Sequence, residues 1–131
     1  MKTECPEVLV VEDDRELNEL VGAYLALAGF AYRSAPDGAT ALAQVGQRAP
    51  AAVVLDLMLP DISGFEVCTR LRADGPACRV PVIILTALDS ADSREHGRQC
   101  GATEYLTKPF DPDLLIQTLA RHAKSDGRVG P

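Results

Sequence analysis

Five short runs read as strands, the first, third and fourth of them strongly apolar, and between them apolar residues recur at helical spacing. The first run, Val8-Leu9-Val10-Val11, follows Glu7 and leads straight into Glu12-Asp13-Asp14. The second, over residues 30–35, is weaker. The third begins Ala51-Ala52-Val53-Val54-Leu55, passes through one carboxylate, Asp56, and reaches Leu57-Met58-Leu59 between Pro50 and Pro60. The fourth spans residues 80–86, with Pro81 near its start, where a missing N–H matters least, and Thr86 at its end. The fifth covers residues 102–107 and precedes Lys108-Pro109-Phe110. The third run, apolar and bounded by its two prolines, predicts a strand buried on both faces, as in a parallel sheet covered by helices.

The intervening stretches predict five helices. Asp13 or Asp14 caps the first, and Glu16 stands three residues after Asp13, as in a capping box. Leu17, Leu20, Val21, Tyr24, Leu25 and Ala28 supply its apolar face, and Gly29 stops it. Pro36-Asp37-Gly38 turns the chain into a second helix with Ala41, Leu42 and Val45 as its stripe. Ser63 and Glu66 form another capping box before Phe65, Val67, Cys68 and Leu71, and residues 73–79, with Gly75-Pro76, read as a loop. Residues 90–100 are so polar that a few contacts must hold them, so this fourth helix is expected to be the loosest; Gly101 ends it. Asp111-Pro112 supplies an N-cap and a proline at the first helical position, ahead of Leu114, Leu115, Leu119 and Ala123. The sum is an α/β fold in three layers, a (βα)5 parallel sheet with helices on both faces. Residues 1–124 form one domain in this reading, and 125–131 a tail or a linker to an output domain.

Composition removes several function classes. A chain of 131 residues can bury one core of its own. Its net charge is −6 and it has no run of Lys or Arg, so this segment is not expected to hold nucleic acid. No apolar run is long enough to cross a bilayer, and the first six residues lack a signal peptide's apolar region; a cytoplasmic place without membrane contact is expected. Cys5, Cys68, Cys78 and Cys100 show no C-x-x-C spacing and read as reduced, structural thiols.

Chemistry gathers where the strands end. In a parallel sheet these ends share one edge, which is where α/β folds bind ligands. That edge receives Glu12 and Asp13 after strand one, Asp56 at strand three, Thr86 at strand four and Lys108 after strand five. Crowded carboxylates repel one another, and oxygen ligands with open positions suit Mg²⁺ better than zinc. Lys108 adds a positive charge and Thr86 a hydroxyl that can donate to an anion. The set fits a phosphoryl group carried on Asp56, with Asp56 as nucleophile. Each piece alone is commonplace; together they are specific.

Four stretches carry a resemblance: Val8-Leu-Val-Val-Glu-Asp-Asp14, Leu55-Asp-Leu-Met-Leu-Pro-Asp-Ile-Ser-Gly64, Ile84-Leu-Thr-Ala87 and Gly101-Ala-Thr-Glu-Tyr-Leu-Thr-Lys-Pro-Phe110. From about Val8 to Lys124 the chain resembles a receiver domain of the bacterial response regulators. The resemblance implies a flavodoxin-like strand order 2-1-3-4-5, and a phosphoacceptor switch rather than an enzyme. Asp56 would take the phosphoryl group from a phosphohistidine on a sensor histidine kinase or phosphotransfer protein. Asp13, Glu12, Asp56 and the Met58 backbone carbonyl would hold Mg²⁺, with Mn²⁺ or Ca²⁺ as substitutes. Lys108, before a cis bond to Pro109, would contact the phosphoryl group. Thr86 and Tyr105 would form the switch, and Met58, Ala87 and Leu88 would govern access to the phosphate. The signal would leave through the surface of the fourth helix, fifth strand and fifth helix, where relatives dimerise or address an output domain, transcriptional ones included.

Two departures accompany the match. Relatives that pair across that surface often carry Asp-Asp before the tyrosine and an Arg in the last helix; here Thr103-Glu104 and Gln117 stand instead. Met58 and Leu88, two residues beyond Asp56 and Thr86, are apolar and would shield an acyl phosphate from water. Two other readings of the fold compete. A Mg²⁺-dependent aspartyl-phosphate phosphatase needs an acid two residues after its nucleophile, where Met58 stands. A flavin-binding electron carrier needs a Ser/Thr/Gly-rich loop after strand one, where Glu12-Asp13-Asp14 would repel phosphate.

Overall fold

The computed structural model describes residues 5–73, 75 and 77–123. Strand and helix alternate from end to end: β1 (Glu7–Val11), α1 (Arg15–Leu27), β2 (Ala31–Ala35), α2 (Gly38–Gln47), β3 (Ala52–Leu55), α3 (Gly64–Ala73), β4 (Val82–Thr86), α4 (Ala91–Gln99), β5 (Glu104–Thr107) and α5 (Pro112–Ala123). The strands pair in parallel in the order β2-β1-β3-β4-β5, the expected architecture.

Side chains alternate across the sheet, so each strand feeds two cores. Leu9, Val11, Val53, Leu55 and Val82 face α2 and α3, meeting Ala41, Val45, Val67, Cys68 and Leu71. Val8, Val10, Val54, Ile83 and Leu85 face α1 and α5, meeting Val21, Leu25, Leu115 and Leu119. The registers Val11↔Leu55 and Thr86↔Thr107 bring the strands to their ends together. Whatever follows those ends must emerge along one edge.

Several local expectations need correction. On α1 the predicted Val21 and Leu25 are buried and Leu17 packs partly against the core, but Asn18 and Gly22 complete that face, while Leu20 is 47% exposed and Ala28 is exposed. The cap of α1 is Asp14, whose carboxylate accepts the Leu17 N–H at 3.2 Å, so the Asp13–Glu16 box does not form. At α3, Ser63 accepts the Glu66 N–H, but the Glu66 carboxylate turns to Arg70 at 2.8 Å instead of closing the box. Leu114 is 45% exposed, leaving Leu115, Leu119 and Ala123 as the apolar stripe of α5. Strands β2, β3, β4 and β5 are each shorter than the apolar runs that announced them. Pro76, Lys124 and the proposed tail 125–131 lie outside the described residues.

At the sheet edge opposite the charged strand ends, Arg72 of α3 ties three segments together. Its guanidinium donates to the carbonyls of Val80 (2.6 Å), Cys78 (3.2 Å) and Gly101 (2.9 Å), and to the Thr103 hydroxyl (3.3 Å). That hydroxyl also accepts the Val82 N–H at 3.0 Å. Thr103 is thus committed inside the fold. The cysteines are free; burial pushes the Cys68 thiol up to about 11, and its S–H donates to the Cys100 carbonyl at 3.3 Å.

Helix α4 has one buried residue, Gly97. A Cβ at that position would press on Ile84 and on the Tyr105 ring at 3.0–3.1 Å, which is how closely the helix backbone lies on the sheet. A stacked contact between His96 and Phe65 of α3, centroids 3.8 Å apart, braces it as well. The other residues of the helix are exposed or half-buried.

Candidate functional site: an acidic cleft at the strand ends

Glu12 and Asp56 leave β1 and β3 side by side, joined by the Asp56 N–H donating to the Val11 carbonyl at 3.0 Å. Each is 6% exposed, while Asp13 next to Glu12 faces solvent. Carboxylate oxygens of all three lie within 4.8 Å of one another. Such crowding calls for a cation, and Lys108 supplies one. Its Nζ sits 2.7 Å from Glu12 Oε1 and 3.1 Å from Asp56 Oδ2.

Backbone geometry fixes these groups. The Asp14 N–H donates to Glu12 Oε2 at 3.0 Å and the Met58 N–H to Asp56 Oδ1 at 3.3 Å. Lys108 begins just beyond β5, where its N–H donates to the Thr86 carbonyl at 2.8 Å, and its bond to Pro109 is cis. Gly64 closes the loop after Asp56 by donating its N–H to the Leu57 carbonyl at 2.9 Å. A Cβ on Gly64 would collide with the Asp56 carbonyl oxygen and with Leu57 Cα. Gly64→Ala is therefore expected to destabilise the fold by about 1–3 kcal/mol, because the obstruction is backbone and cannot swing away. Chemical denaturation reads this directly, and an unshifted midpoint would refute it.

Glu12 and Lys108 titrate away from their ordinary values. Burial is the largest influence on Glu12 and raises its pKa, with the Asp56 charge adding to it, against lowering bonds from Lys108 and Asp14. Burial alone would lower the Lys108 pKa, but its bonds to Glu12 and Asp56 outweigh that and raise it. The lysine stays charged, and Glu12 holds a proton more readily than an exposed glutamate.

Behind the cleft, Thr86 is fully buried and its hydroxyl accepts the Leu88 N–H at 3.4 Å. The Tyr105 ring lies against Gly97, and its hydroxyl donates to the Leu88 carbonyl at 2.6 Å. Arg94 stands 5.1 Å above that ring. Met58 is 55% exposed beside Asp56, Leu88 is half-buried and Ala87 exposed. Of these, Thr86, Tyr105, Met58, Ala87 and Leu88 were expected from the sequence, and Arg94 and Gly97 were not. Also unexpected were Asn18 and Tyr32 behind Glu12, and Asp61, whose carboxylate accepts the Gly38 and Ala39 N–H groups, both at 2.9 Å. A polar residue at the helical spacing of a buried face was the available sign for Asn18.

Against known proteins, residues 8–120 match the response regulator receiver domain family. The chain belongs to that family. It is 40% identical over 124 residues to the DNA-binding dual master transcriptional regulator RpaA of Synechocystis, a match covering 95% of this chain and 52% of that protein. The chain spans about half the length of the curated relatives it matches. Among solved structures, the receiver domain of Francisella response regulator 1452 superposes with a TM-score of 0.87 at 33% identity, covering 93% of this chain and 99% of that one. The receiver domain of a Pseudomonas aeruginosa sensor histidine kinase, solved with magnesium coordinated in its active-site cleft, gives 0.86 at 31%, covering 93% and all of that chain. In this receiver, no helix among the described residues is long and apolar enough to cross a membrane.

Proposed function

We propose that Asp56 is the phosphoacceptor of a receiver served by a histidine kinase or phosphotransfer protein. The observation that carries this reading is the Lys108 ammonium between Glu12 and Asp56, with Asp13 at the cleft mouth. An Asp56 oxygen forms its bond to phosphorus as the phosphorus–nitrogen bond of the donor phosphohistidine breaks, and the neutralised imidazole leaves. Lys108 is placed to offset charge on the phosphoryl oxygens. Glu12, Asp13, Asp56 and the Met58 carbonyl would hold Mg²⁺, an all-oxygen donor set that fits a hard cation. When bound, the ion supplies charge neutralisation to the phosphoryl group. The magnesium in the Pseudomonas relative supports this choice of metal.

The switch follows from where the new charge lands. Phosphorylation adds up to about two negative charges and strong acceptors beside Thr86 and Lys108. A Thr86 hydroxyl drawn to the phosphoryl oxygens would release the Leu88 N–H it now accepts. Tyr105 is bonded to the same residue's carbonyl, and the lightly held α4 packs on its ring. The readout surface is then α4, β5 and α5. There Glu104 already pairs within the chain, with His122 at 2.9 Å and Arg121 at 3.3 Å, and Gln117 is exposed. A dimer through that surface would need pairs other than those of the transcriptional relatives. The DNA-binding name of the Synechocystis relative supports a transcriptional output through a domain outside the matched half.

The deciding experiment incubates the chain with Mg²⁺ and acetyl phosphate and seeks one added phosphoryl group by intact mass. Turnover of phosphate esters would favour the phosphatase reading instead, and bound flavin the electron carrier. Met58 and Leu88 bear on how long the modification lasts. Leu88→Glu should shorten it about tenfold, the effect of a barrier lowered by ~1.4 kcal/mol as a carboxylate orients water. Phosphate release after donor removal measures this, and an unchanged rate would sink the shielding role.

A further inference from the structure

The acidic loop is held from behind as well as from within. Asn18 lies on the buried face of α1 at 5% exposure. Its amide nitrogen donates to the Glu12 carbonyl at 3.0 Å and to the Val10 carbonyl at 3.2 Å. Its Oδ1 accepts the hydroxyl of Tyr32 on β2, which also lies 3.0 Å from the Asn18 backbone carbonyl. The Tyr32 ring is in turn wedged against α1, for a Cβ on Gly22 would collide with it. One side-chain amide thus joins β1, α1 and β2 at the point where Glu12 and Asp13 project.

Beside this network opens a cavity of about 330 Å³, lined by Glu12, Asp13, Asn18, Glu19 and Tyr32 among others. On that side the loop faces open space, so hydrogen bonds must fix it where packing does not. The demand is real, because three carboxylates within 4.8 Å push one another apart. Val11 already spends its carbonyl on Asp56, and the Glu12 N–H donates to the Ala35 carbonyl at 3.1 Å. The Glu12 carbonyl is held by Asn18.

We infer that Asn18, braced by Tyr32, is a positioning residue for the acidic site: it fixes the backbone that presents Glu12 and Asp13, and so sets the affinity for the divalent cation. The inference rests on the metal-assisted reading above. Groups that orient metal ligands from behind are worth tenfold or more in affinity. Asn18 acts through the ligand's backbone, which places it at the lower end of that range.

The test titrates Mn²⁺ by electron paramagnetic resonance, with Mg²⁺ as competitor, on the full chain and three variants. Asp13→Asn is the reference and should lose binding, fixing where the counted ions sit. Asn18→Leu keeps the branching and number of side-chain heavy atoms but removes the amide, and should weaken Mn²⁺ binding about tenfold. Tyr32→Phe keeps the ring and should weaken binding about two- to threefold through the loosened amide. A role confined to folding would lower the melting temperature and leave both affinities unmoved. Folded Asn18→Leu binding within about twofold of the unaltered chain overturns the inference. Should Asn18→Leu fail to fold, Tyr32→Phe decides, and an unchanged affinity there overturns it too. If the unaltered chain binds no Mn²⁺, the metal reading falls and takes this inference with it; indifferent variants of a binding chain defeat the inference alone.

Discussion

Asp56→Asn should take up no phosphoryl group from acetyl phosphate under conditions that modify the unaltered chain fully, and in metal-free buffer it should be the more stable protein. Loss of modification follows from chemistry: an amide oxygen is a poor nucleophile, and Glu12 is paired to Lys108 and the Asp14 N–H. The gain in stability follows from charge. Glu12, Asp13 and Asp56 bring three negative charges to a space served by one ammonium. Asparagine lowers that excess, and its carbonyl can still accept the Met58 N–H that Asp56 accepts now. A gain of about 1 kcal/mol is expected, the usual sign when a functional residue is relieved of its task. Two measurements check it: intact mass after acetyl phosphate, and denaturant midpoints in chelator. Residual modification would point to another acceptor, and a less stable variant would mean that the Lys108 bond outweighs the repulsion.

The cleft was legible because each strand announced its own end. Val11 gives way to Glu12, Leu55 to Asp56, and Thr107 to Lys108; charge is costly among the buried residues of β1 and β3, so there it appears only at the strand ends. Parallel alternation then placed those breaks on one edge without any knowledge of distances. Side-chain geometry was less legible where a helix face mixes residue types. On α1 the polar Asn18 is buried while Leu20 and Leu27 stand exposed, so an apolar stripe drawn from the sequence was rotated from the true one. The competition between Asp13 and Asp14 for the cap was settled by position: Asp14 caps, which leaves Asp13 free for the cleft. Arg72 makes four bonds, two to the loop six and eight residues on and two to Gly101 and Thr103, and all of them depend on tertiary closure. Long-range polar contacts of this kind carry no periodic signature.

Lys108→Met should be the most destabilised of these variants at neutral pH in metal-free buffer, by about 3–5 kcal/mol, because it strands two carboxylates that the fold keeps from water. Glu12 and Asp56 are each 6% exposed, and the ammonium that met both is replaced by a thioether. The pH dependence has a definite sign. Lys108 has a raised pKa, so its contribution is present in full at neutral pH and below, and is lost only as pH climbs through that raised value. Glu12 also has a raised pKa, so its contribution is present at acid pH, below the ordinary glutamate value, and lost as pH rises through the folded one. Removing Lys108 takes away a bond that lowers the Glu12 pKa and so lifts it further. Acidification from neutral pH toward the ordinary glutamate range should protonate Glu12 earlier in the variant and narrow the gap to the unaltered chain. Divalent metal should narrow it as well, since a cation that binds the folded cleft stabilises by mass action and meets less competing charge once the ammonium is gone. Melting temperatures across pH, with and without Mg²⁺, test both claims. A gap that stays constant or widens on acidification would show that Lys108 holds the fold by packing its stem and not by its charge.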